Sequence, residues 1–182
     1  MIEKLYNRQS ILLQNGSTFR FPKGTYTLML ETIKTRQYNG VLEGKILKIS
    51  CPRFASHRIR TFSVAKIFRK LIAQEHIRWL QTYVEVMHER YFPNVQSNFV
   101  RFKDMKTRWG SCSSKKNLNF SNTLLFIPPN LQFYLIAHEM AHLEHLHHKR
   151  EFWNRMATLV PTYKKDAVQL RRTRIVFELK LS

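Results

Sequence analysis

Acidic residues are scarce in this 182-residue chain: 12 Asp and Glu stand against 31 Lys and Arg, a formal charge of +19 at pH 7. Cysteine is scarcer still. Cys51 and Cys112 are too few for a disulfide scaffold and form no CxxC pair, so a reducing cytoplasm is the expected setting. The start, Met-Ile-Glu-Lys-Leu-Tyr-Asn-Arg, lacks the apolar stretch of a secretory signal, and no uncharged apolar run reaches membrane-spanning length. These absences lead to the expectation of a soluble cytoplasmic protein without a membrane partner. No internal repeat and no low-complexity linker interrupts the chain.

What is present is enough for a core. Apolar residues make up 43% and aromatics 13%, which excludes a disordered chain. The length suits one domain, with or without a small extension. Residues 1–60 hold 11 basic and 3 acidic side chains and residues 61–116 hold 11 and 4, so the excess charge belongs to the folded surface and not to a tail. Such a surface attracts polyanions, nucleic acid among them, unless it is only a solvated basic face.

The patterning implies an α+β domain. Residues 25–34 and 40–50 partly alternate apolar and polar residues around Asn39-Gly40, as in an antiparallel hairpin. From Ser63, a plausible N-cap, the apolar residues Val64, Ile67, Phe68, Leu71, Ile72, Trp79, Leu80, Tyr83, Val84 and Met87 recur at helical spacing, which predicts one long helix that ends by Pro93. Strands are expected over 98–103 and 118–126, separated by the turn-rich Arg108-Trp109-Gly110-Ser111-Cys112-Ser113-Ser114-Lys115-Lys116-Asn117. Pro128-Pro129 introduces a helix from about Asn130 through His145. Further helices are expected over 149–160, stopped by Pro161, and 162–172, and an edge strand over 175–181. The division that follows is an N-terminal extension over 1–20 and one domain over 21–182, with a β-rich half at 21–60 and a metal-binding half at 98–172.

The segment His138-Glu139-Met140-Ala141-His142 reads HExxH. Residues four apart on a helix lie one turn above each other, so both imidazoles can address one ion. Glu139, rotated about 100° from His138, stands beside the ion as a proton acceptor and not on it as a ligand. A catalytic zinc takes three protein ligands and keeps one position open. Candidates for the third are His145, His147, His148 and Glu151. On a continuing helix His145 lies about 10 Å further along the axis, too far to converge. His148, six residues after His142, can return under the ion if the helix ends near 145–147. That interval is the one used by metzincins, where glycine makes the turn at the position held here by His145.

Thr107-Arg108-Trp109-Gly110-Ser111-Cys112, then Asn122, Pro128, Tyr134, HEMAHL, His147-His148, Phe152-Trp153, Pro161 and Tyr163 resemble the YgjP-like metallopeptidases, a family similar to the SprT-like and WLM-type zinc peptidases. The resemblance is strong over residues 100–172, looser over the N-terminal strands and the long helix, and leaves out the first 20 or so residues. His147 and Lys149 depart from its usual Asn and small residue. It implies a small zincin-like fold, with Zn2+ held by His138, His142 and His148 and with Glu139 as the base. In such folds a strand like 118–126 rims the cleft and pairs with an extended peptide or protein substrate.

Arg108 and Trp109 could line that cleft, together with Asn122; Tyr163 could polarise the scissile carbonyl or simply pack behind Pro161. Cys112 reads as a packing cysteine or an inhibitory thiolate, and Phe152 and Trp153 as the underside of the metal loop. The function expected is a zinc-dependent peptidase. The alternative is a basic, nucleic-acid-associated protein with a zinc site, including a protease acting on DNA-bound proteins.

Overall fold

The computed structural model describes residues 7–181. In chain order, β1 (Asn7–Gln14), β2 (Thr18–Phe21), β3 (Gly24–Ile33), β4 (Asn39–Glu43) and β5 (Ile46–Pro52) precede α1 (His57–Glu75) and α2 (Ile77–Tyr91). Then come β6 (Phe99–Lys103), β7 (Gly110–Cys112), β8 (Asn117–Ser121), α3 (Pro129–Ala141), α4 (Arg150–Leu159), α5 (Tyr163–Arg172) and β9 (Thr173–Lys180). The architecture is mixed α+β, and the chain divides into two compact units. An N-terminal unit joins Arg8–His76 to the final strand, and a C-terminal unit spans Ile77–Thr173. Of the extension expected over 1–20, the described residues carry β1 and most of β2. Among the described residues no helix is long and apolar enough to cross a membrane.

In the N-terminal unit the strand order is β2-β3-β5-β4. The expected antiparallel hairpin is corrected here: β3 and β5 run parallel, and β4 lies on the far side of β5, antiparallel to it. The reversal sits at Gly44, whose φ of +58° is left-handed, and not at Asn39-Gly40. Glycine takes that conformation without the steric cost of a Cβ. Gly40 has a different task. A Cβ there would stand 2.2 Å from Cγ2 of Ile67, so its missing side chain is what lets α1 settle onto the sheet. The core beneath is built from Tyr26, Leu28, Leu47, Ile49 and Cys51 against Val64, Phe68 and Ile72 of α1, all fully or almost fully buried.

The single long helix is also corrected. Ser56, not Ser63, caps α1, its Oγ accepting from the Ile59 N–H at 3.4 Å, and His76 (φ −99°, ψ 9°) ends it. His76 is fully buried. Its Nδ1–H donates to the Ile72 carbonyl at 2.8 Å, and its ring lies 5.5 Å from Tyr26 and 5.7 Å from Phe21. The helix ends where this polar ring turns inward and bonds back onto the Ile72 carbonyl. α2 does stop just before Pro93. β9 pairs with β1, so the expected C-terminal edge strand is present.

The C-terminal unit holds a three-stranded sheet, β6-β8-β7, with β6 parallel and β7 antiparallel to β8. The turn-rich stretch therefore contains a strand. The strand expected to run to 126 ends at Ser121 instead. Ser121 Oγ accepts from the Thr123 N–H at 3.2 Å and meets the Thr123 hydroxyl at 2.6 Å, a local bond that competes with strand continuation. Leu124–Phe126 then forms one 3-10 turn. α3 opens on Pro129, where a missing N–H costs nothing. The buried Asp166 of α5 accepts from Asn130 Nδ2 at 3.1 Å and from Thr162 Oγ1 at 2.6 Å, pinning the start of α5 to the start of α3.

Gly40→Ala is expected to lower stability by about 1–3 kcal/mol, the cost of overpacking. In an Ile67→Ala background, with Cγ2 removed, the same change should cost much less. Thermal or urea unfolding of the four chains of this double-mutant cycle measures the coupling.

Candidate metal centre

α3 is buried on almost every side: Leu131, Tyr134, Leu135, Ile136, Ala137, Met140 and Ala141 all leave water. Polar residues in its last turn are therefore drawn into the interior, and they are His138 and Glu139, followed by His142 at the C-cap. The motif closes the helix instead of lying in its middle, because α3 ends at Ala141 and not near His145. The chain bends immediately. Leu143 N–H bonds Met140 O at 2.9 Å and His145 N–H bonds Ala141 O at 2.9 Å. Among the described residues Lys116 is the non-glycine with positive φ, so the turn at His145 uses ordinary backbone angles and needs no glycine.

The bend returns His148 to the helix end. His138, His142 and His148 each bring one ring nitrogen within 4.8 Å of the other two. Nε2 of His138 and Nε2 of His148 are 3.1 Å apart. Two imidazole nitrogens that share a tetrahedral zinc at about 2.0–2.1 Å stand about 3.3–3.4 Å apart, so the observed gap is close to a ligand spacing. His142 Nδ1–H donates to the His145 carbonyl at 3.0 Å, which leaves its Nε2 lone pair facing the cluster. His145 thus contributes a carbonyl and not its ring. Among the described residues, neither its ring nor that of His147 joins the cluster.

The histidines are held neutral. His138 is pulled down to about 3, first by burial and then by repulsion from His142 and His148. Burial also lowers His142 and His148. Metal ligation needs this uncharged form.

Glu139 is 6% exposed and lies against β7. A Cβ on Gly110 would come within 2.7 Å of its Cγ and Oε1, so Gly110 makes room for the carboxyl group. Burial pushes Glu139 up to about 8, while the Cys112 backbone N–H and the charge of Arg108 favour the ionised form. Cys112 itself is pushed up to about 11, by burial and then by the Glu139 charge. Its thiol stays protonated and outside the histidine cluster, which fits the packing reading.

Aromatic rings support the cluster from α4. Phe152 stacks on His142 at 4.6 Å and meets His148 edge-on at 4.7 Å. Trp153 stacks on His148 at 5.5 Å and donates from Nε1 to the His148 carbonyl at 3.1 Å. Tyr163 stacks on the other neighbour of that column, Trp153, at 5.7 Å. Trp109 bonds through its carbonyl to the Ser121 N–H at 2.7 Å and is half-buried; Asn122, buried, donates its N–H to Lys103 O at 3.0 Å. Arg108 is exposed and near enough to act on Glu139.

Gly110 lies within the Thr107–Cys112 motif, but nothing in that motif signals its role beside Glu139. The Arg155–Glu144 pair has no sequence signal of its own. Arg155 forks onto Glu144 with Nε–Oε2 2.7 Å and Nη2–Oε1 3.3 Å, also donates to the Tyr91 carbonyl, and lies over the Phe92 ring at 4.7 Å. Glu144 sits between His142 and His148, so this fork anchors the returning loop to α4 and the end of α2.

A family model described as YgjP-like, metallopeptidase domain, matches residues 4–173. No curated protein sequence matches the chain. Among solved structures it is similar to the metallopeptidase zymogen of Pyrococcus abyssi abylysin, with 18% identity and a TM-score of 0.41 over 53% of this chain and 98% of that one.

Arg155→Ala should loosen the loop that carries His148 and weaken metal binding at the histidine cluster by about tenfold or more, in the range of supporting-residue losses at metal sites. Arg155→Lys, which keeps the charge but not the fork, should fall in between. Competition with a chromophoric chelator measures the affinity, and melting of the metal-free chains separates it from loss of fold.

Proposed function

The chain belongs to the YgjP-like metallopeptidase family, and from that premise we propose that it is a zinc-dependent peptidase of small zincin-like fold, with His138, His142 and His148 as metal ligands and Glu139 as general base. The observation that carries this reading is the approach of His138 Nε2 to His148 Nε2 at 3.1 Å beside a buried carboxyl group. The donor set suits zinc: three neutral imidazoles, one with its tautomer set by a carbonyl, and, among the described residues, no fourth protein ligand to close the site. A bound Zn2+ supplies Lewis acidity toward water and toward the substrate carbonyl.

The rest of the chemistry falls to the chain. Glu139 takes a proton from the attacking water as its oxygen bonds to the scissile carbonyl carbon, and passes that proton to the departing amine nitrogen as the C–N bond breaks. Its burial suits a group that must be basic in one step and acidic in the next, and the Cys112 N–H and the Arg108 charge favour the ionised form that starts the cycle. Gly110 and the Cys112 N–H hold the carboxyl group in place. The Phe152–Trp153 layer keeps water from the back of the histidines. Arg108, Trp109 and Asn122 are proposed to contact a peptide or protein substrate. Tyr163, stacked on Trp153, fits the packing role better than the oxyanion role. A purely structural zinc has no use for Glu139 at this position, which favours the enzyme reading over a binding module.

His148→Ala is expected to cut zinc affinity by more than the roughly 100-fold upper range of a supporting-residue loss, whereas His145→Ala and His147→Ala leave it near wild type. Metal analysis after dialysis checks this, and a loss confined to His145→Ala would refute the ligand assignment.

Glu139→Gln should retain zinc and melt close to wild type while turnover of an unfolded protein substrate falls by roughly 10²–10⁴-fold, the usual contribution of a positioned base. Equal cleavage by both chains would sink the mechanism; loss of zinc from the variant would make Glu139 structural.

A further inference from the structure

The N-terminal unit carries a groove of about 850 Å³ between α1 and β9, within the roughly 300–1,000 Å³ range of pockets that bury ligands. From α1 it takes Arg58, Thr61, Phe62, Ala65 and Arg69, which recur at the three- and four-residue steps of one helix face. Leu12 of β1 and residues 175–180 of β9 complete it. Phe62 is 64% exposed and Leu12 46%, and Ile59 (55%) and Phe54 (77%) extend the apolar surface beside them. α1 is thus apolar on two faces. Val64, Phe68 and Ile72 fill the core, whereas Phe62 stands in water, at a cost that a buried counterpart would remove.

The charge around this surface is mainly positive. Arg58, Arg69 and Lys180 line the groove, and the one carboxylate among its described lining residues, Glu178, accepts a hydrogen bond from Ser10 at 2.6 Å. Arg58 and Lys180 form no side-chain hydrogen bond or ion pair among the described residues. The unit as a whole holds 15 Lys and Arg against 4 Asp and Glu. An occupant must therefore bring apolar side chains for Phe62 and Leu12 and negative charge for Arg58 and Lys180. A polypeptide does both. A nucleic acid strand brings phosphates, but it offers stacking bases and no aliphatic side chains to a floor that includes Leu12, Ala65 and Ile175. The family of the chain acts on polypeptides, which points the same way.

We infer that the α1–β9 groove binds acidic, apolar segments of polypeptide substrates. The inference rests on the peptidase reading for the identity of the polypeptide, but the binding itself requires neither the metal nor Glu139. The test therefore uses the full chain freed of metal by chelator, so that a failure of the hydrolytic mechanism leaves it unaffected.

Fluorescence anisotropy is measured with a labelled peptide alternating glutamate and leucine, with its lysine–leucine counterpart, and with oligothymidylate of equal length. The glutamate–leucine peptide should bind, should weaken as salt is raised, and should lose about tenfold or more in affinity with either Phe62→Ser or Arg58→Glu. Both side chains are exposed, and unchanged melting of each variant shows that the fold survives. Equal binding of the lysine–leucine peptide would overturn the charge selection. Unchanged glutamate–leucine affinity in both variants would remove the groove as the site. Oligothymidylate binding that both variants abolish, without peptide binding, would make the groove a nucleic-acid surface and overturn the inference.

Discussion

Everything at the histidine cluster depends on how closely α3 approaches β7 at one position. Gly110 presents no Cβ, so the Glu139 side chain lies where any other residue's Cβ would be, 2.7 Å from its Cγ. That approach buries a carboxyl group with a backbone N–H as partner and raises it to about 8. It also fixes the roll of α3 about its axis, and with it the direction of His138 and His142. A helix buried on almost every side has no solvent face to which it could turn. The same packing that stabilises the C-terminal unit therefore orients its chemistry.

The histidines add a second constraint. Burial and mutual repulsion keep them uncharged in a chain of formal charge +19, which is the state that metal ligation requires. His138 is held by ring contacts with Tyr134 and Phe152. The other two imidazoles have hydrogen-bonded or stacked supports: His142 has the His145 carbonyl and the Phe152 ring, and His148 has Trp153 on its face and at its carbonyl. The Arg155–Glu144 fork sets the loop between them. Supports of this kind keep ring directions within narrow limits, which the rings by themselves cannot do.

The N-terminal unit obeys different physics. Its α1 packs one face on a mixed sheet through the contact at Gly40 and leaves a second apolar face, flanked by basic residues, next to β9. The bulk charge, which the composition could only assign to polyanions in general, has a local expression there: an apolar groove with Arg58 and Lys180 on its rim. Concavity and aliphatic lining narrow the class of partner in a way that net charge cannot.

Much of the site was legible from residue order. HExxH is a local pattern whose i, i+4 geometry depends only on helical pitch, and the α+β class, the two C-terminal helices and the final strand followed from periodicity and from proline positions. What failed was non-local. The parallel β3–β5 pairing, the break at His76 and the early end of β8 depend on which distant groups meet, and alternation reads the same for a parallel and an antiparallel neighbour. The role of Gly110 could not be read from its motif and Arg155 carried no signal, because a missing Cβ matters only where another side chain takes its place, and an arginine forks only where a carboxylate is brought to it. The sequence by itself determined the chemical groups available and the helical pair that carries two of them. Tertiary structure alone decided the depth at which Glu139 is buried and the face of α1 left open, because both are set by contacts between residues far apart along the chain.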